Sequence, residues 1–214
     1  MTPTEFSTEF DILYNNLASN AAPPLNEYEK SVFLTKAQLD IVVELYSGRN
    51  QLGLYFESSE EARTYLKPLF CKAECAVNVK TGDITYPDDY NVWFITREEY
   101  GDVPVVSVSQ DEYNTIKNNP FRRASDRRAL KVSSGEIDSI EYPNRASDKK
   151  YIVYGIKKPT PIILPNIGDP TLSIDGVTTT KELNSELDSY LHKAILDRAV
   201  TYAKQTYIGG SPQE

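Results

Sequence analysis

The chain has few of the residues on which most enzyme sites depend. Its 214 residues include one histidine and two cysteines. A single histidine excludes metal sites built from several histidines, and Ser-His-Asp or Cys-His catalysis would have to use His192 as its base. The sequence also contains no GxSxG, GxxxxGKS/T or GxGxxG motif, the signatures of serine hydrolases, P-loop NTPases and dinucleotide-binding enzymes. It therefore predicts no catalytic, metal-binding or cofactor-binding residues.

Two features could still be read as catalytic. Asp88 with Asp89, and Glu98 with Glu99, are adjacent carboxylates, but they fall in turns or at strand ends, where solvated charge is the simpler interpretation. A hydrolase whose two catalytic carboxylates come together only in the folded chain therefore stays open as one hypothesis. His192 lies next to apolar positions of a helical pattern, which indicates a packed or interface residue rather than a base.

The two cysteines are predicted to be free thiols. Cys71 and Cys75 lie four residues apart in a segment with strand character, which separates them by roughly 13 Å, too far for a disulfide. A CxxxC pair alone is also a poor metal site. Free thiols are typical of a reducing compartment, so we expect synthesis and assembly in a cytoplasm.

Long apolar runs are missing as well. No segment approaches the ~20 apolar residues of a membrane-spanning helix. The first residues, MTPTEFSTEFDILYNN, are acidic and lack the basic start and apolar run of a signal peptide. We therefore expect neither a signal peptide nor a membrane partner.

What the chain does contain is acidic charge and tyrosine. The formal net charge is −8, which disfavours broad contact with nucleic acid or anionic membranes and favours basic or polar protein partners. There are 15 tyrosines against 7 phenylalanines and 1 tryptophan. Tyrosine is enriched at protein interfaces, but it is also common in strands, and both interpretations stay open.

One short segment, FRRASDRR, is strongly basic. Arg122, Arg123, Arg127 and Arg128 lie within seven residues of an otherwise acidic chain. Such a loop could contact phosphates or an acidic patch of a partner. The alternative is a solvated loop with local ion pairs to Asp126.

Helical patterns occupy the first 69 residues. Phe6, Phe10, Leu13 and Leu17 recur at helical spacing. A second helix is predicted to begin at a capping box of Asn26 and Glu29 and to end at Gly48, and a third to begin at Ser58 and to end near Pro68.

From about residue 70 the pattern changes to strands. CAVNV, NVWFITREEY, VPVVSVSQ, ALKVSS, EIDSIEYP, YIVYGI and PIILP have strand character, with one helix predicted at QDEYNTIKNN. The strands are too closely spaced for repeated βαβ units, which predicts a central antiparallel sheet or small barrel. The fold class is α+β, with a helical region at 1–69, a β-rich core at 70–165, and a turn region, long helix and loose tail at 166–214, together forming one compact unit.

The predicted closing helix, Lys181–Tyr207, would start at a capping box of Thr179 and Glu182 and reach roughly 40 Å. Its broad apolar face requires a groove, either in its own body or in a neighbouring subunit. The candidate interaction residues on this face are Leu187, Leu191, Ile195 and Tyr202.

Three segments resemble head-to-tail connector (ring or adaptor) proteins of crAss-like tailed bacteriophages, which infect gut Bacteroidetes. They are NEYEKSVFLTKAQLDIVVELYSG, KKPTPIIL and ELNSELDSYLHKAILDRAV, which occur in the family's order near both ends of the chain. The central strands carry no part of this resemblance.

The resemblance implies a structural virion protein of the neck or tail, assembled in the host cytoplasm. Its partners would be other copies of itself in a dodecameric ring, the portal, and further connector or tail proteins, with packaged DNA passing through the channel. The closing helix would be a docking or inter-subunit element, and no catalytic residues carry over. The alternative is an intracellular binding protein that uses the arginine-rich loop on an acidic partner or nucleic acid.

Overall fold

The computed structural model describes residues 1–17, 23–49, 55–135, 137–146, 148–167, 169 and 171–207. The side chain of Leu17, the break predicted around residues 18–22 and the tail at 208–214 lie outside the described residues. The chain divides into two compact units. Residues 1–69 and 159–214 form what we call the helical unit, and residues 70–158 form the β unit.

The elements follow one another in an α+β order, as predicted. The helices are α1 (Pro3–Leu17), α2 (Glu27–Ser47), α3 (Glu60–Leu66), α4 (Gln110–Ile116) and α5 (Ser189–Tyr207). The strands are β1 (Phe70–Val77), β2 (Ile84–Thr85), β3 (Val92–Tyr100), β4 (Val103–Ser109), β5 (Ala129–Ser133), β6 (Asp138–Glu141), β7 (Tyr151–Lys157), β8 (Ser173–Ile174) and β9 (Val177–Thr178).

Both ends of α2 are as predicted. The Asn26 side chain accepts a hydrogen bond from the Glu29 backbone N–H at 2.8 Å, and the Glu29 carboxylate accepts one from the Asn26 N–H at 2.9 Å. This reciprocal pair satisfies two N–H groups that the first turn leaves without partners. At the other end Gly48 has a φ of 72°, a left-handed conformation that glycine adopts without steric cost.

The third helix begins one residue later than predicted. Ser59, not Ser58, is its cap, and the Ser59 hydroxyl accepts from the Ala62 N–H at 3.3 Å. The helix gives way to a single 3-10 turn at Lys67–Leu69, which contains Pro68, because proline cannot continue the helical hydrogen bonding.

The segment Pro161–Pro165, predicted as a strand, joins no sheet. Polar side chains of α2 bond the backbone of this stretch instead: Ser31 Oγ accepts from Leu164 N at 3.0 Å, and Thr35 Oγ1 accepts from Ile162 N at 3.1 Å. Gln38 Nε2 donates to the carbonyl of Thr160, just before the stretch, at 2.8 Å. On the other side, Ile163 and Leu183 exchange two backbone hydrogen bonds of 2.9 and 3.0 Å. The prediction was wrong because helix side chains take the bonds that a neighbouring strand would have made.

The closing helix is shorter than predicted. It begins at Ser189 and has 19 residues, roughly 28 Å, rather than beginning at Lys181. The Asp188 side chain accepts a hydrogen bond from the Tyr190 N–H at 3.1 Å, which gives a partner to one N–H group of the first turn. The Thr179 hydroxyl donates to two carbonyls of the preceding loop, at 3.0 and 3.1 Å. The predicted capping box of Thr179 and Glu182 was wrong, because the Thr179 hydroxyl bonds the loop and caps no helix.

The β unit is a single seven-stranded sheet in the order β2-β1-β7-β3-β4-β5-β6. All neighbouring pairs in it are antiparallel except β4 and β5, which are parallel. A crossover through α4 joins these two strands, and parallel neighbours require such a connection. At the outer edges, Ile140 N donates to Gly82 O at 2.8 Å and Asp83 pairs with Ser139, so the sheet nearly closes into a barrel.

Gly155 allows two central strands to approach closely. It lies in β7, and a side-chain carbon added there would come within 2.3 Å of the Phe94 carbonyl oxygen on β3. The pairing of β3 with β7 is irregular here, with register shifts between Val92 and Phe94 and between Ile95 and Arg97. A glycine in a strand interior commonly marks such a close approach.

Candidate interaction surfaces

The predicted apolar face of the closing helix lies in the interior of the helical unit. Leu187, which precedes α5, is 4% exposed, and Leu191 and Ile195 on α5 are 8% and 0% exposed. The helix packs against α1 and α2 of the same unit. The structure therefore brings these side chains into the core of the helical unit.

Tyr202, the fourth predicted residue of this face, is half-buried and polar in its contacts. Its hydroxyl donates to the Asp40 carboxylate at 2.7 Å, and the Lys36 ammonium lies 4.8 Å from the ring centre. Burial and the bond to Asp40 raise the pKa of Tyr202 to about 12. One turn earlier, Arg198 pairs with Glu44 at 2.8 Å. The α2-facing side of α5 is thus tied to α2 by polar contacts as well as by packing.

His192 is a packed residue, as predicted. It is 5% exposed, and its ring centre lies 5.3 Å from that of Phe6. Its Nε2 lies 3.1 Å from the Leu187 carbonyl oxygen, and its Nδ1 lies 2.6 Å from the amino nitrogen of Met1. Burial lowers the pKa of His192 below its usual value of 6.5, because the charged ring would lose its hydration.

Acidification is expected to destabilise the helical unit through His192. The unfolded chain takes up a proton near pH 6.5, whereas the buried ring resists protonation, so this contribution is complete above pH 6.5 and is lost as the pH falls below it. Urea denaturation at pH 7, 6 and 5 should show the loss in the wild type, and a His192→Gln variant should show a flatter dependence. Equal slopes for the two proteins would contradict the assignment.

The conformation of the arginine-rich loop is fixed by hydrogen bonds from one of its own arginines. The Arg128 guanidinium donates to the carbonyls of Phe121 at 3.2 Å and Arg123 at 3.1 Å. Backbone bonds between Ser125 and Arg128, at 2.9 and 3.1 Å, close the turn. Asp126 accepts from Asn144 at 3.0 Å. Arg128 is therefore structural.

The other three arginines of the loop point to solvent. Arg122, Arg123 and Arg127 are exposed, and within the part of the chain that the structure describes they form no ion pair with a carboxylate, Asp126 included. Beside them, Phe121 is 90% exposed, the most exposed of the large apolar side chains described. Sequence reasoning noted the charges and missed this ring, although an aromatic residue between proline and arginine in a turn was the available signal.

A buried polar network in the β unit was not predicted. The Glu98 carboxylate on β3 accepts from the Lys131 ammonium on β5 and from the Tyr151 hydroxyl on β7, and Ser107 on β4 donates to it at 2.9 Å. Burial and the adjacent Glu98 raise the pKa of Tyr151 far above its usual value. The interpretation of Glu98 as solvated charge was wrong, because the side chain is 9% exposed and faces inward on β3.

The two cysteines are not activated for reaction. Cys71 and Cys75 are free thiols, as predicted, and burial raises the pKa of Cys75 to about 11, which disfavours the reactive thiolate. No cluster of three metal-ligating side chains occurs among the described residues. None of the described helices is long and apolar enough to span a membrane.

The two units differ sharply in charge. The helical unit holds 9 of the 23 basic side chains and 17 of the 31 acidic ones, so it carries the whole net charge of −8. The β unit holds 14 of each and is neutral. An acidic surface and an exposed basic loop therefore belong to different units of the same chain.

Comparison with known proteins gives one consistent result. A family model described as phage tail ring protein 3/4 matches residues 1–213. Ring protein 3 of Bacteroides phage crAss001 is 38% identical over 223 residues, which cover 95% of this chain and 95% of that protein. Ring protein 4/5 of the same phage is 33% identical over 229 residues, covering 98% and 94%. The resemblance found in the sequence is confirmed, and it includes the central strands.

Proposed function

Because the chain belongs to the phage tail ring protein 3/4 family, we propose that it is a structural virion protein that assembles with copies of itself into a ring. The observation that carries this proposal is the match to crAss001 ring protein 3, which extends over 95% of both chains. A match of that extent covers both compact units, so the proposed role belongs to the whole chain.

The ring we propose lies in the neck, below the portal, where it extends the DNA channel and presents a docking surface to the tail. Twelve copies would match a dodecameric stack, with the portal and other connector or tail proteins as neighbours. The net charge of −8 supports a channel role. DNA binds proteins through lysine and arginine contacts to its phosphates, and an acidic channel wall would repel the phosphates and let the DNA pass. Assembly would take place in the host cytoplasm before the virion is released.

We propose no enzymatic activity and no cofactor for this ring. The one histidine is buried, and its two ring nitrogens both have close partners. The carboxylate that faces the interior of the β unit, Glu98, is bonded to Lys131, Tyr151 and Ser107. Both groups support folding, and their hydrogen-bond partners leave neither of them free to act on a substrate.

The two faces of α5 have different proposed roles, one in the fold of the chain and one in assembly. Leu191 and Ile195, with Leu187 just before the helix, hold it in the subunit core. Its outer face, which includes Lys193, Ala194 and Asp197, is exposed and available to a neighbouring subunit.

Three measurements test the ring. Mass spectrometry of purified virions should detect the chain in a fixed copy number per particle, and electron microscopy of the neck should place a ring of matching size there. Light scattering of the purified protein should report a multiple of the 24.2 kDa chain mass. Absence of the chain from virions would reject the proposal.

A further inference from the structure

The helical unit has an apolar groove between α1 and α5. Ile12, Leu13 and Leu196 line it, and its volume is about 430 Å³. Ile12 is 53% exposed there, while Leu196 forms a floor that is 1% exposed. An apolar concavity of this size on an otherwise acidic surface has room for a large apolar side chain of a partner.

The rim of the groove is charged. Glu9 and Asp197 lie on it, and so does Lys193. Neither carboxylate forms an ion pair with another described residue. The rim therefore offers two unpaired acceptors for a cationic partner, with one lysine beside them.

The loop of the β unit has the complementary features. Phe121 is 90% exposed and is followed directly by Arg122 and Arg123, both exposed. Arg128 fixes the carbonyls of Phe121 and Arg123, so the loop is ordered before it meets a partner, which lowers the entropic cost of binding.

We propose that the loop of one copy docks on the α1–α5 groove of the next copy, with Phe121 in the groove and Arg122 and Arg123 against Glu9 and Asp197. The inference rests on the proposed ring function and identifies one of its contacts. The acidic helical unit and the basic loop supply the charge complementarity. The two patches differ, so the contact is head-to-tail, and head-to-tail contacts that close generate rings.

Charge reversal tests the pairing. Arg122→Glu and Asp197→Arg, each alone, place like charges together and should raise the protein concentration needed for assembly at least ~10-fold. The double variant Arg122→Glu/Asp197→Arg restores opposite charges and should return that concentration to within a few-fold of wild type. Light scattering over a concentration series measures it, and thermal melting confirms that each variant is folded. Assembly of both single variants like the wild type, or no recovery in the double variant, would overturn the contact.

Photo-crosslinking locates the aromatic ring. The full-length chain with benzoylphenylalanine at position 121 is mixed with ¹⁵N-labelled wild-type chain and irradiated. Crosslinks from the probe to labelled peptides that contain Ile12 or Leu196 are expected, and a matched probe at Val79, an exposed position of the same unit, should not give them. Crosslinks elsewhere, or none, would reject the proposed docking.

The tests separate this contact from the ring function on which it rests. If the charge variants assemble normally, the contact is wrong while ring formation stands. If the chain is absent from virions, the ring function fails whatever the crosslinks show.

Discussion

Replacing Ile195 with Asp is expected to unfold the helical unit. Ile195 is 0% exposed, and a carboxylate there would be buried without a partner, a change that costs upwards of about 4 kcal/mol and so removes a large share of the ~5–15 kcal/mol that holds a typical domain folded. Hydrogen exchange monitored by mass spectrometry should show loss of protection across α5 and α2. Urea denaturation should show a matching loss of stability.

The neighbouring residue provides the control. Ala194 is exposed on the same turn of α5, so Ala194→Asp introduces the same charge without burying it and should change stability by less than about 1 kcal/mol. If Ile195→Asp remains as protected as Ala194→Asp and only assembly is lost, then Ile195 is an interface residue and its burial within the subunit is not what matters.

Replacing Lys131 with Met should destabilise the β unit by about 3–5 kcal/mol. Removing the ammonium leaves the Glu98 carboxylate buried with two hydroxyl partners but no opposite charge, and breaking a buried pair in this way costs far more than the pair contributes. The measurement is urea denaturation followed by far-ultraviolet circular dichroism.

Two companion variants make this prediction specific. Lys131→Met with Glu98→Leu removes both charges and should recover much of the loss, since apolar replacement of a whole buried pair is often tolerated. Lys150→Met removes an ion pair with Glu74 in which the side chains are 63% and 43% exposed, and it should cost less than about 1 kcal/mol. Similar losses for Lys131→Met and Lys150→Met would show that burial of the pair is unimportant.

Some features were predictable because their causes are local. The capping box at Asn26 and the glycine end of α2 depend on residues within a few positions of each other, and both are present. The strand positions of the β unit followed from alternation and turn residues, and short connections explain the antiparallel pairing of β3 with β4 and of β5 with β6. The lack of motifs such as GxSxG and GxGxxG could be read directly from residue order.

Other features could not be predicted because they depend on residues far apart in sequence. Glu98 bonds Lys131 and Tyr151, which are 33 and 53 residues away in sequence, and these side chains meet only because β3, β5 and β7 belong to one sheet. Residues 161–165 have strand character, but two of their backbone N–H groups bond side chains of α2, more than 120 residues earlier, and Ile163 bonds the Leu183 backbone in an isolated bridge. α5 begins at Ser189 and not at the predicted Lys181, and the Thr179 hydroxyl, predicted to cap the helix, instead donates to two loop carbonyls.

The sequence by itself determined that this chain is an acidic α+β protein, poor in catalytic groups and related to phage ring proteins. Those conclusions depend on composition, short-range periodicity and residue order, which need no knowledge of the fold. Tertiary structure alone decided that Leu187, Leu191 and Ile195 lie in the core while Phe121 projects into solvent. The physical reason is that burial depends on which distant elements cover a side chain, and the polarity of the side chain does not specify them.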